Sequence, residues 1–110
     1  MMRYTREIKV GKGSIKISES AEKIMECKIV IIRGESVNGP CTDSDCQIMI
    51  RQVVEIGNTC PNDFVKISDD KITLCMQREI ARSIDVGRQL GVRIEATGNS
   101  LFLKNFVYVS

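Results

Sequence analysis

Polar and apolar positions alternate from Glu7 to Val10 and again from Ser14 to Ser18. This period of two puts Ile8, Val10, Ile15 and Ile17 on one face and Lys9 and Lys16 on the other. Gly11-Lys12-Gly13 lies between the two runs and supplies residues that tolerate positive φ, so the pair reads as a β-hairpin. Lys23 to Arg33 places Met25, Cys27, Ile29 and Ile31 on one parity and ends in a β-branched run, which favours strand. A short helical turn over residues 20–26 is the alternative.

Residues 34–45 gather turn formers: Gly34, Asn38, Gly39, Pro40 and the cluster Asp43-Ser44-Asp45. The capping-box pattern Ser44-x-x-Gln47 follows, and Cys46, Met49, Ile50, Val53 and Gly57 recur at helical spacing. That spacing predicts a helix over 44–56, although Ile48 falls off the stripe and the β-branched content leaves strand as the other reading. Phe64 to Ile67 and Ile72 to Met76 flank the turn Ser68-Asp69-Asp70-Lys71 as a second hairpin. Residues 77–90 place Ile80, Ile84, Gly87 and Leu90 on one helical face, with Arg78, Arg82, Asp85 and Gln89 opposite, and Gly91 as the stop. Residues 92–96 and 101–103 form a closing hairpin about Thr97-Gly98-Asn99-Ser100, and Phe106 to Val109 continues the sheet. The expected fold is a single compact α+β domain over 1–110, a largely antiparallel sheet of about six to seven strands with two helices.

Composition narrows the chemistry. The chain has 110 residues, of which 43% are apolar, and at this size one core forms without metal or disulfide staples. It contains no histidine, which excludes Ser-His-Asp and Cys-His hydrolytic sites, histidine zinc sites and histidine-ligated haem. No residue set is assigned a catalytic role, and no cofactor fingerprint is present. Gly11-Lys12-Gly13-Ser14 lacks the earlier glycine, the Ser/Thr after lysine and the strand-to-helix junction of a phosphate loop. The longest aliphatic run, Ile29 to Ile32, is too short to span a bilayer, and no apolar signal segment follows the first residues. A cytoplasmic protein with no membrane partner is the expectation.

Five cysteines, an odd number without a signal segment, predict free thiols rather than a disulfide framework. Cys27, Cys46 and Cys75 fall on predicted strand or helix positions facing the core, leaving Cys41 and Cys60 in loops. Cys41, Cys46 and Cys60, with Cys27 or Cys75, are the candidate thiolate metal set, but they lack paired C-x2-C knuckles. Asp43 and Asp45 lack the frame of a calcium loop and read as carboxylates at a helix N-terminus.

The net charge of +2 conceals an uneven distribution. Arg3, Arg6, Lys9, Lys12 and Lys16 face a single anion, Glu7, within the first 18 residues, and the second helix adds Arg78 and Arg82. These seven cations are the candidate nucleic-acid-binding set. The competing account is a solvated polar face in which Arg82 and Asp85 compensate each other. The five aromatic residues form no recognisable RNA-stacking motif. The reading reached is a small non-enzymatic module that binds another macromolecule or assembles with itself. Its partner is a protein or a second copy, with nucleic acid as the first alternative and the thiol or metal site as the second.

Overall fold

The computed structural model describes residues 3–41 and 46–106, and within β3 and β4 it describes the side chains up to Ser36 and again from Ile50. In chain order the elements are β1 (Tyr4–Val10), β2 (Gly13–Ser18), α1 (Glu19–Met25), β3 (Lys28–Cys41) and β4 (Cys46–Gly57). There follow β5 (Val65–Asp69), β6 (Ile72–Met76), α2 (Arg78–Asp85), β7 (Val92–Thr97) and β8 (Ser100–Lys104). All eight strands join one sheet in the order β1-β2-β7-β8-β4-β3-β6-β5, curled into a nearly closed barrel.

This corrects the expected α+β architecture with a largely antiparallel sheet. The molecule is mostly strand, its two helices are 7 and 8 residues long, and the sheet is mixed. Neighbours in sequence pair antiparallel: β1 with β2, β3 with β4, β5 with β6 and β7 with β8. Strands distant in sequence supply the parallel ladders, β2 with β7 from Ile15↔Val92 and β3 with β6 from Lys28↔Ile72. Short-range alternation fixes which face of a strand is buried but carries no information about a partner far along the chain.

The region predicted as a helix over 44–56 is strand β4 from Cys46 onward, and Ser44 of the proposed capping box lies outside the described residues, as do Asp43 and Asp45. The period there is two. Val54 turns into the core, while Arg51 and Glu55 meet Glu35 and Arg33 of β3 in ion pairs of 3.0 Å each. The segment expected to be irregular from Gly34 is also strand, running to Cys41 with a register shift after Asn38. β3 pairs with β6 only as far as Ile32, and β4 pairs with β8 only at Val54↔Leu101. Beyond those points the hairpin is a two-stranded arm, which accounts for principal extents of 50 × 30 × 29 Å. Pro40, which has no N–H to donate, falls within the register shift between Asn38 and Cys41, where the ladder is interrupted.

The barrel interior is filled by the predicted faces of the first hairpin, with Ile15 and Ile17 fully buried, together with Ile32, Leu74 and Ile94. Each such isoleucine or leucine contributes about 1.5–3 kcal/mol by leaving water. The helices sit at opposite ends. Helix α1 inserts Ala21 and Met25, and is capped by Ser18, whose Oγ accepts from the Ala21 amide at 3.2 Å. It ends before Cys27, which holds a φ of +62 in a turn and is exposed, rather than lying buried on a strand through 23–33. Helix α2 inserts Ile80 and Ile84 at the other end and stops at Asp85, not at 90. Leu90 is left exposed, and Gln89 is buried with its amide donating to Ser83 Oγ at 2.8 Å.

Cys60 and Cys75 form a disulfide with their Cα atoms 5.7 Å apart, tying the loop after β4 to β6. This overturns the expectation of free thiols for that pair. In the loop-closure account a cross-link of about 15 residues stabilises the fold by about 3 kcal/mol.

Candidate functional site: a cleft at the barrel seam

The barrel is left open between its two edge strands. β1 pairs only with β2 and β5 only with β6, so no backbone ladder joins β1 to β5 among the described residues. At the α1 end side chains bridge the gap. Arg6 donates to Glu22 at 2.5 Å and to Asp69 at 3.2 Å, with Asp70 at 3.5 Å. Thr5 adds a hydrogen bond to Glu22 at 3.0 Å. The Arg6 guanidinium holds the Glu22 carboxyl below its ordinary value, and Glu22 and then Asp69 hold Arg6 above its own.

Toward α2 the seam opens into a cleft of about 420 Å³. Its floor is apolar, from Val10 of β1, Val65 and Ile67 of β5 and Ala81 of α2. Its rim is charged, with Lys9, Arg78 and Arg82 against the single acid Asp85. Arg78 and Arg82 are exposed and make no ion pair among the described residues, while Lys9 has only Glu7 at 3.4 Å. Helix spacing explains the convergence: Arg78 and Arg82 stand one turn apart, with Ala81 and Asp85 one turn apart beside them.

Two close approaches hold the cleft's corner. Gly11 has a φ of +59, and a side chain there would overlap the Asp85 carboxylate. The Lys12 amide donates to the Asp85 carbonyl at 2.9 Å, which seats the β1–β2 turn on the last turn of α2. The glycines that resemble part of a phosphate loop therefore serve helix-to-hairpin contact.

Of the seven predicted cations, the structure brings Lys9, Arg78 and Arg82 to one place. Arg6 is consumed by the carboxylates of the seam. Arg3 is exposed, and its carbonyl accepts from the Glu19 amide at 2.9 Å. Lys12 stands on the turn above α2, and Lys16 lies between Glu7 and Arg93 in register on the outer face. Sequence reasoning missed Val65, Ile67, Ala81 and Asp85, because only the meeting of two sheet edges gives them a common neighbour. The one signal available was the glycine pair flanking Lys12.

A second polar cluster lies at the outer start of β1. Tyr4 donates to Glu95 at 2.6 Å and accepts from Arg93 at 2.9 Å, and the Arg93 guanidinium stacks 5.6 Å from the Tyr4 ring centre. The Glu95 acceptor, with burial second, raises the Tyr4 phenol above its ordinary value. These contacts tie β1 to β7 across β2, while the buried Arg93 Nε lies 3.5 Å from Glu95 and has no hydrogen-bond partner among the described residues.

The candidate thiolate set is divided. Cys60 is bonded to Cys75, and Cys41 and Cys46 are register partners near the end of the arm, their side chains outside the described set. No group of three or more histidine, cysteine or acidic residues able to hold a metal ion lies together among the described residues. No helix among them is long and apolar enough to cross a membrane. Comparison with protein-family models, curated proteins and solved structures finds no match for this chain.

Proposed function

We propose that the protein is a small binding module whose seam cleft receives an anionic segment of a macromolecular partner. The observation that carries this reading is the placing of Lys9, Arg78 and Arg82 around an apolar floor, with two of the three cations making no ion pair among the described residues. Solvated surface arginines ordinarily gain little from being near one another, and like charges across a cleft repel. An anion entering the cleft relieves that repulsion, and the shallow apolar floor rewards a ligand with hydrocarbon beside its charge.

The test is binding of polyanionic probes, acidic peptides and oligonucleotides, to the wild type and to Arg78→Ala/Arg82→Ala. Binding that weakens with salt and falls about tenfold in the double variant supports the reading. Binding that the double variant leaves unchanged removes the cleft from consideration. Nucleic acid is the second reading, favoured by the same three cations. None of the described aromatic residues lines the cleft, so the stacking platform that single strands use is lacking there.

A further inference from the structure

We infer that the partner segment is an extended, acidic peptide that enters the seam as an added β-strand between β1 and β5. The inference rests on the binding reading above and adds to it the conformation and chemistry of what is bound.

The backbone comes first. β1 and β5 are the two strands at the ends of the sheet order, and among the described residues each has one edge toward the seam whose N–H and C=O groups have no ladder partner. Unpaired edges of this kind template the addition of another strand. Arg6 meets Asp69 at one end of the seam, while Val10 and Val65 line the cleft at the other, so the two edges run antiparallel to each other. A strand between them pairs antiparallel with one and parallel with the other, a combination this mixed sheet already contains in β7, parallel to β2 and antiparallel to β8.

The length and the side chains then fix the class of peptide. Arg6 and its carboxylates block the α1 end, which leaves the β1 edge free from Glu7 to Val10. Four residues of strand cover about 13 Å. Alternate side chains of an added strand point to opposite faces. One set meets the floor made by Val10, Val65, Ile67 and Ala81, and the other meets Lys9, Arg78 and Arg82 at the rim. Apolar residues alternating with aspartate or glutamate satisfy both. A free small anion answers the cations but leaves both edges unpaired.

Fluorescence anisotropy with a labelled octapeptide of alternating valine and glutamate tests this, beside three controls. These are the same peptide N-methylated at alternate amides, its valine–lysine counterpart, and a labelled single-stranded oligonucleotide. The expected result is saturable binding of the valine–glutamate peptide, weakened about tenfold by N-methylation and about tenfold by Arg78→Ala/Arg82→Ala, with no binding of the lysine peptide. Amide exchange supplies a readout independent of the variants: the bound peptide protects the alternate amides of residues 7–10 and 65–67 that face the seam and leaves those already paired with β2 and β6 unchanged. Equal binding of methylated and unmethylated peptides that still requires the two arginines overturns strand addition and leaves the binding module standing. Arginine-dependent binding of the oligonucleotide alone overturns it in favour of nucleic acid. No binding of any probe overturns both.

Discussion

Replacing Gly11 by alanine measures how tightly the β1–β2 turn is seated on α2, and Gly98 provides an internal reference. Both glycines hold left-handed backbone, with φ of +59 and +61. Alanine in that region costs about 1–2 kcal/mol whatever surrounds it, because its Cβ crowds the following carbonyl. The surroundings separate the two sites. Around Gly98 nothing lies within 4 Å of an added Cβ, whereas at Gly11 it would overlap the Asp85 carboxylate and sit 3.0 Å from the Asp85 Cα. The exposed carboxylate can swing aside. The Cα moves only with the end of α2, which the Lys12 amide holds in place. Overpacking of this kind adds about 1–3 kcal/mol. Gly98→Ala is therefore expected to lose about 1–2 kcal/mol and Gly11→Ala about 2–5 kcal/mol. Urea unfolding followed by circular dichroism reads the difference as a gap of about 1 M between the two midpoints, at an unchanged slope. Adding Asp85→Ala to Gly11→Ala restores only the part due to the carboxylate. Coincident midpoints for Gly11→Ala and Gly98→Ala would refute the close seating and, with it, the rigid corner of the cleft.

Other consequences follow from single contacts. Because Arg6 holds the folded-state Glu22 carboxyl below its ordinary value of 4.5, that pair's contribution is complete above this value. It fades as pH falls through the lowered folded value. Arg6→Gln should flatten the acid limb of a stability–pH curve below about pH 4.5 and cost about 2 kcal/mol at pH 7, and an unchanged limb would place the linkage elsewhere. Cys60→Ala/Cys75→Ala should lower stability by about 3 kcal/mol and abolish any effect of reductant on the Cys60–Cys75 loop; mapping of disulfide-linked peptides checks the bond directly. Ile80→Ala, which empties a buried position at the α2 end of the core, should cost about 2–5 kcal/mol by thermal or urea unfolding.

The hairpins were legible from sequence because their information is local. Ile8, Val10, Ile15 and Ile17 alternate with lysines and are separated by a glycine-flanked turn, and the structure buries all four. The stretch after Asp45 reads as helix in sequence, yet is strand, because Cys46, Met49, Ile50, Val53 and Gly57 satisfy a helical period by coincidence. The deciding partners, Arg33 and Glu35, lie on another strand. Helix α2 is legible in sequence but runs on to Leu90 there, since Leu90 continues the stripe while Gly87, with a φ of +79, has already turned the chain. The cleft was half legible. Arg78 and Arg82 stood out as a pair, yet their convergence with Lys9 depends on β1 and β5 being the two ends of one sheet. The Cys60–Cys75 bond had no local signature at all, because the two residues meet only through the course of β5 and β6.

The parallel ladders also govern how this chain can come together in time. The β1–β2 hairpin closes through near neighbours, but the open side of β2 is completed by β7, whose Val92 lies opposite Ile15. During synthesis that edge stays unpaired until β7 has been made, well after the hairpin itself. Docking of β7 joins the β1–β2 hairpin, through β8, to the block that the β3–β6 ladder holds together, and such distant pairing costs more loop entropy than local pairing. Chains shortened to end before Val92 lack the β7–β8 hairpin and leave the β2 edge unpaired, and are expected to aggregate on gel filtration rather than fold.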